Sequence, residues 1–415
     1  MESNKAVEAL RTPTARVGVG WIAAVLIVHI GINVGFFAPI QVLLGLHSEA
    51  ISPQQKNATL SLVTGVGAVV SMIANPLFGA LSDRTTSRFG RRVPWIVAGT
   101  LGGALALLLM STAQTVTVLV LGWALMQAAG NAALAAVLAV VPDKVPVAQR
   151  GTVGGLIALA QTLGILVGAG IGMVAASDLV FGYAIVAVVI ALCSVPFVLL
   201  RQDVVLPASA REEFAWGSFL RSFWINPVRY PDFGWAWLTR FLLYLSSQLI
   251  LVYLLYVLQD GLNHPEPAAG VLVLSSIYAG FVILSSVVAG KLSDRDGKRK
   301  RYVVISSLIV AAAALVMAVA PSFPVAIGGA VLLGLGFGSF LAVDYALLTQ
   351  VLPHADSRAK DLGVINIANS LPQVFAPLIA WIAVSWLGGY PTLFVCAAVV
   401  SVAGGLLVRR IKMVP

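Results

Sequence analysis

Gly79-Ala80-Leu81-Ser82-Asp83-Arg84, the opening of the stretch GALSDRTTSRFGRR at residues 79–92, returns as Gly290-Lys291-Leu292-Ser293-Asp294-Arg295, the opening of GKLSDRDGKRKR at residues 290–301. The copies lie 211 residues apart, and the same offset joins Pro142 to Pro353 and His29 to Arg240. An offset of 212 joins Gln161 to Gln373. A duplicated half-chain accounts for all four coincidences.

Each copy of this polar stretch sits between long apolar runs. Of the 415 residues, 59% are hydrophobic and only 10% charged, whereas a soluble domain carries about 25% charged residues. Such a chain cannot clothe its surface in polar groups, so its solvent is hydrocarbon, where only helices and closed barrels satisfy their own backbone. Barrel strands would alternate apolar and polar residues; continuous runs of about 20 apolar residues, long enough to cross a bilayer, read instead as helices. The runs begin near Val17, Ala58, Pro94, Thr115, Thr152 and Leu179, and again near Gly234, Ala268, Tyr302, Pro324, Gly363 and Pro391. The expected fold is therefore an all-α membrane protein of twelve transmembrane helices in two pseudo-symmetric six-helix bundles. The expected divisions are a tail at 1–16, a first bundle at 17–200, a polar linker at 201–233, a second bundle at 234–408 and a tail at 409–415.

Of the 26 lysines and arginines, all but two fall in the tails and the even-numbered connections. The exceptions are Lys56, on the opposite side, and Arg240, inside a run. By the bias of basic residues toward the cytoplasm, both termini are expected to be cytoplasmic, in the cell (inner) membrane. The first sixteen residues lack the small-residue cleavage site of a signal peptide and read as a retained tail. A net charge of +9 does not make a nucleic-acid surface, because the basic residues sit in short loops without interleaved aromatics. Cys193 and Cys396 lie within apolar runs and read as small core residues, with no disulfide framework or metal site.

The stretches at 79–92 and 290–301 resemble, over essentially the whole chain, the major facilitator superfamily, whose loop between helices 2 and 3 reads G-x-L-x-D-R followed by clustered arginines. Ser82 to Ile96, SDRTTSRFGRRVPWI, is similar more narrowly to the plant sucrose–proton symporters, their animal relatives and the glycoside-pentoside-hexuronide symporters. The run Gly363-Val364-Ile365-Asn366-Ile367-Ala368-Asn369 with Pro372-Gln373 is similar to the same group. The resemblance implies alternating access around a midplane site lined by helices 1, 4, 7 and 10, and a monomer. It also implies that Asp83 locks the cytoplasmic ends of the halves, with Arg84, Arg88, Arg91 and Arg92 beside it and Asp294 and Arg295 as pseudo-symmetric partners; retention of the loop in the cytoplasm is the other account of these charges. One feature departs from the group, which places an acid in helix 4: Asn131 to Val141 contains none. Drug–proton antiporters of the superfamily carry a glycine-rich helix 5 with Gly-Pro, whereas Gly164, Gly168, Gly170 and Gly172 here come without proline and read as helix-packing positions.

Apart from the loop ends, three ionisable residues lie inside the apolar runs: His29, Arg240 and Asp344. A charge at the bilayer centre costs at least about 2.5 kcal/mol, so such a residue faces a cavity or a partner. Arg240 and Asp344 lie at similar depths, and an ion pair between them is expected. It is either a proton switch, since burial raises a carboxyl pKa and a nearby cation lowers it, or a static tie between helices 7 and 10. His29, with Asn33 one turn on, is either a substrate contact or a structural hydrogen-bonding group. Polar stripes recur at helical spacing: Gln127 with Asn131, Arg240 with Tyr244 and Gln248, and Asn366, Asn369 and Gln373. With Gln161 these are candidate solute contacts, because amides and hydroxyls offer both donors and acceptors to a polyhydroxylated solute; interhelical packing is the competing account.

The glycine strings at 168–172 and 334–338 follow no strand and make no nucleotide loop. No Walker motif, metal-ligand spacing or nucleophile with an adjacent base is present, so ATP-driven pumping, enzymatic catalysis and a bound cofactor are not expected. The sequence thus points to a secondary transporter that moves a small solute, a sugar or glycoside, with a proton. An exporter of an amphipathic metabolite or drug is the alternative, and a non-transporting receptor or assembly protein is the alternative of another class.

Overall fold

The computed structural model describes residues 13–200, 203–210, 216–217, 229–320, 322–351 and 358–412. Every regular element among them is helical, and twelve helical spans are long and apolar enough to cross a membrane. In the first half these are α1 (Val19–Ile51), α2 (Lys56–Asp83), α3 (Val93–Ser111), α4 (Val116–Lys144), α5 (Val147–Val174) and α6 (Leu179–Leu200). In the second half they are α7 (Pro231–Gly261), α8 (Pro267–Asp296), α9 (Arg299–Ala318), α10 (Phe323–Gln350), α11 (Arg358–Trp386) and α12 (Tyr390–Leu407).

Proline and its neighbours explain where these helices start and bend. Pro94, Pro267, Pro324 and Pro391 occupy the first turns of α3, α8, α10 and α12, where the missing N–H would have no helical acceptor. Thr115 caps α4 by accepting from the Val118 amide. Gly297 ends α8 at φ 66°, the left-handed stop that glycine adopts without a Cβ penalty. Inside the spans, Pro39 begins a π-turn in α1. The regular helix of α7 stops at Leu251 and resumes at Leu254 before a π-turn at Val257–Gly261.

The chain forms two compact units, one of residues 1–56 and 66–215, the other of 57–65 and 216–415. Within the first, α1 packs on α5 and α6, and α3 packs on α4 and α6. Within the second, α7 packs on α11 and α12, and α9 packs on α10 and α12. These are the same pairings six helices later, the packing counterpart of the sequence duplication. Even the repeated motif keeps its neighbour, with Gly79 of α2 facing Ala135 of α4 and Gly290 of α8 facing Ala342 of α10.

Helices in lipid gain little from apolar burial against one another, so close approach depends on small residues. Gly164, Gly168 and Gly172 of α5 lie against Asn33, Ala38 and Val42 of α1, whereas Gly170 faces open space. In the second unit Gly334 and Gly338 of α10 meet α8 at Tyr278 and Val282, and Gly336 meets Val310 of α9. Both glycine strings are packing surfaces.

Residues 57–65 make three hydrogen bonds within the second unit. The Tyr253 hydroxyl, just past the break in α7, donates to the Asn57 carbonyl at 2.7 Å and lies 2.6 Å from Ser61 Oγ. Ser61 Oγ also lies within donating distance, 2.7 Å, of the Pro377 carbonyl in α11.

Candidate functional site

In the second unit, α7 brings Arg240 to Asp344 of α10 and Asn369 of α11. Arg240 Nη1 donates to Asp344 Oδ2, and Nε donates to Asn369 Oδ1 at 2.6 Å. A third contact, 3.4 Å, runs from Nη2 to the Tyr244 hydroxyl one turn along α7, and the guanidinium carbon lies 5.0 Å from the centre of the Tyr244 ring. Arg240 and Asp344 are only 7% and 2% exposed, so neither charge could stand in a membrane helix alone. Opposite charge, an amide oxygen and an aromatic face together satisfy the guanidinium. Tyr244 is held edge-on by Phe337 at 5.2 Å and Phe340 at 6.1 Å, both from α10. Gln248 is half-buried on the same α7 face and Gln373 of α11 is exposed; the Asn366 side chain lies outside the described residues.

The first unit has a neutral polar cluster within its helices. Asn131 of α4 donates to the Gln127 carbonyl at 2.8 Å and to Gln127 Oε1 at 3.2 Å, and its Oδ1 accepts from Asn75 Nδ2 of α2 at 3.2 Å. On α1, Asn33 Nδ2 donates back to the His29 carbonyl at 2.8 Å. His29 itself is 3% exposed, and neither ring nitrogen has a protein hydrogen-bond partner. Such orphaned polar atoms are rare in a folded chain, and here they sit one turn from Asn33. Gln161 of α5 is exposed. Asn75 was not among the sequence candidates, because it is the lone amide between Ala58 and Asp83 and makes no stripe of its own.

The arginine-rich loop between α2 and α3 folds onto two acids that the sequence reading did not single out. Arg92 donates through Nε to Asp143 Oδ2 at 2.8 Å and through Nη1 to Ser82 Oγ at 2.8 Å, and pairs with Asp83 at 2.6 Å. Arg91 forks onto both oxygens of Asp143, at the end of α4. Asp203, beyond α6, accepts the backbone amides of Arg92 at 2.6 Å and Val93 at 2.8 Å, capping the start of α3. Gly90 turns there at φ 100°, and a Cβ on it would run into the Asp203 carboxylate. Burial pushes the Asp203 carboxyl up, and its three backbone donors with the Arg92 charge only partly bring it back. Burial alone would pull the Arg92 guanidinium down, but Asp143 and then Asp83 outweigh it, leaving a net rise. Arg84 donates to the Ala80 carbonyl and Arg88 lies over the Phe89 ring. Arg295 is exposed, and the Asp294 side chain lies outside the described residues.

The profile of the Major Facilitator Superfamily matches residues 19–274 and 236–415. The chain belongs to the major facilitator superfamily. Its relatives include the uncharacterised MFS-type transporter YfiU of Bacillus subtilis, 27% identical over 119 residues, 29% of this chain and 23% of that protein. Shorter matches join it to the uncharacterised symporter sll1374 of Synechocystis, 47% identical over 49 residues, 12% of this chain and 8% of that one. The human proton-associated sugar transporter A is 39% identical over 71 residues, 17% of this chain and 9% of that one. The chain therefore spans less than a quarter of the length of these curated relatives. Among solved folds, the peptide transporter POT in complex with sulfate superposes with a TM-score of 0.76 at 13% identity, over 99% of this chain and 98% of that one. The nucleoside transporter NupG superposes at 0.73 and 14% identity, over 94% of this chain and 98% of that one. At these identities the likeness is one of fold.

Proposed function

We propose that this superfamily member is a secondary active transporter that carries a small polar solute, a sugar or glycoside, across the membrane together with a proton by alternating access. The observation that carries the reading is the Arg240–Asp344 pair: a carboxylate buried in membrane helices, bonded to a cation it can be parted from, is a proton site whose affinity depends on conformation. Paired, Asp344 stays ionised; parted from Arg240 while still buried, it takes up a proton. The cation, relieved of its partner, remains held by Asn369 and Tyr244.

The neutral amides of the first unit support a polyhydroxylated cargo, with Asn75, Gln127, Asn131 and Asn33 supplying donors and acceptors and His29 supplying two unpartnered ring nitrogens. A dianionic cargo would call for several cations. The printed names of two relatives, a symporter and a proton-associated sugar transporter, support the same reading. The loop network of Asp83, Arg91, Arg92 and Asp143 serves as a gate element, and the bias of basic residues toward the even-numbered loops supports cytoplasmic termini in the cell membrane. A second reading, export of an amphipathic metabolite, draws support from the aromatic residues around Arg240: Tyr244, Phe337 and Phe340.

Purified protein screened by thermal shift against carbohydrates and amphipathic metabolites, then assayed in proteoliposomes under a pH jump, separates these readings. Stabilisation by a carbohydrate with uptake accelerated toward the alkaline side is expected. Stabilisation by amphipathic compounds alone, with flux opposed to the proton gradient, would replace import with export. A protein that binds and moves neither class would be a receptor or assembly factor.

A further inference from the structure

We infer that the exposed cations at the start of α9 and after α12 form a binding surface for anionic phospholipids, whose phosphate headgroups bridge the two segments.

The duplicated halves differ most here. In the first, the arginines before α3 are neutralised from within: Arg91 and Arg92 pair with Asp143, and Asp203 caps the helix start. At the offset of 211 that joins Pro142 to Pro353, the residues standing for Asp143 and Asp203 are His354 and Val414. The second copy has kept its cations and lost both acids. Arg295, Lys298 and Arg301 are exposed, as are Arg409, Arg410 and Lys412 after α12, and among the described residues no carboxylate forms an ion pair with any of these six. The acids beside them are engaged elsewhere: Asp296 accepts from the Tyr302 hydroxyl at 2.7 Å, and Asp232 accepts the Lys412 backbone amide at 3.0 Å. The Lys300 ammonium donates to the Ile411 carbonyl at 3.0 Å and so ties the two basic segments into one patch, although 111 residues separate them in the chain.

Lys298, Arg299, Lys300 and Arg301 also crowd the first turn of α9, which no side chain caps. The amides there form the positive end of the helix, so added cations raise its energy and an anion lowers it. The position of the patch makes that anion a headgroup. Only residues 294–298 separate the apolar spans Pro267–Ser293 and Arg299–Ala318, and so short a link stays at the bilayer surface, where basic clusters beside a transmembrane helix attract anionic lipid. Retention of a loop on one side of the membrane requires its charges to be present, not displayed outward; Arg91 and Arg92 are buried and satisfy it equally.

The test titrates the full-length protein, purified in a neutral detergent, with short-chain phosphatidylglycerol or phosphatidylcholine and counts bound lipid by native mass spectrometry. Wild type is compared with Lys298→Gln plus Arg301→Gln, and with a charge-matched pair from the first unit, Lys144→Gln plus Arg150→Gln. The surface predicts that wild type binds phosphatidylglycerol at least about tenfold more tightly than phosphatidylcholine. Loss of Lys298 and Arg301 is expected to weaken phosphatidylglycerol roughly tenfold or more and to leave phosphatidylcholine within about threefold, while the first-unit pair leaves both within about threefold. Undiminished phosphatidylglycerol affinity in the folded Lys298, Arg301 variant, or an equal loss in the first-unit pair, would overturn the assignment. Displacement of the lipid by an equal concentration of inorganic phosphate would overturn it in favour of a soluble-anion site. Should the Lys298, Arg301 variant fail to fold, Arg409→Gln plus Arg410→Gln gives the same comparison.

Discussion

At the residue scale the decisive group is Arg240, because it is the charge that the apolar layer tolerates only in company. Removing Asp344 alone leaves a buried guanidinium without its counter-ion, and removing Arg240 alone leaves a buried carboxylate. Either single change is expected to cost about 3–5 kcal/mol. The double variant Arg240→Met with Asp344→Leu removes both charges and is expected to recover most of that loss. Thermal unfolding of the four proteins in detergent checks this, and additive losses would mean the two groups do not act as a pair. Arg240 and Asp344 were legible in the sequence because an ionisable residue in an apolar run demands a partner, and Asn369 because it sits in a polar stripe. Asp143 and Asp203 were not, because they lie at helix ends where charge is ordinary. Their roles depend on contacts with Arg91 and Arg92 more than fifty residues away in the chain.

At the scale of elements, the α5 glycines give a paired expectation. A Cβ at Gly168 would press on the backbone of Ala38, whereas one at Gly170 would meet nothing. Gly168→Ala is expected to cost about 1–3 kcal/mol through overpacking of α5 on α1, and Gly170→Ala to be neutral or slightly stabilising through its better helix propensity; melting temperatures decide. The cap on α3 gives a pH-dependent expectation. Because the folded-state pKa of Asp203 is raised, the folded protein binds its proton more readily than the unfolded chain. The contribution of Asp203 to stability is therefore fullest below the unfolded value of about 3.9 and declines as pH rises through the folded value. Asp203→Asn keeps an acceptor for the Arg92 and Val93 amides and removes that decline, while Asp203→Ala loses the cap at a cost of about 1 kcal/mol. Melting curves across pH that show the same slope in wild type and Asp203→Asn would contradict the assignment. Helix count and limits were readable along the chain because hydrocarbon thickness sets the length of each run. The break in α7 before Leu254 was not, since no proline or glycine marks it.

At the scale of the molecule, duplication was the most legible feature: the repeated GxLSDR stretch and the equal helix pairings of the two units report the same event. The membership of residues 57–65 in the second unit was hidden, because the apolar run of α2 is continuous and carries no sign of it. The account as a whole turns on whether the buried carboxylate moves a proton with the solute. The direct measurement is solute-driven proton movement in proteoliposomes holding wild type or Asp344→Asn, with solute binding confirmed for both. The account predicts that the substitution abolishes proton movement while solute still binds. Proton movement undiminished in Asp344→Asn would contradict it and reduce the Arg240–Asp344 pair to a structural tie between α7 and α10.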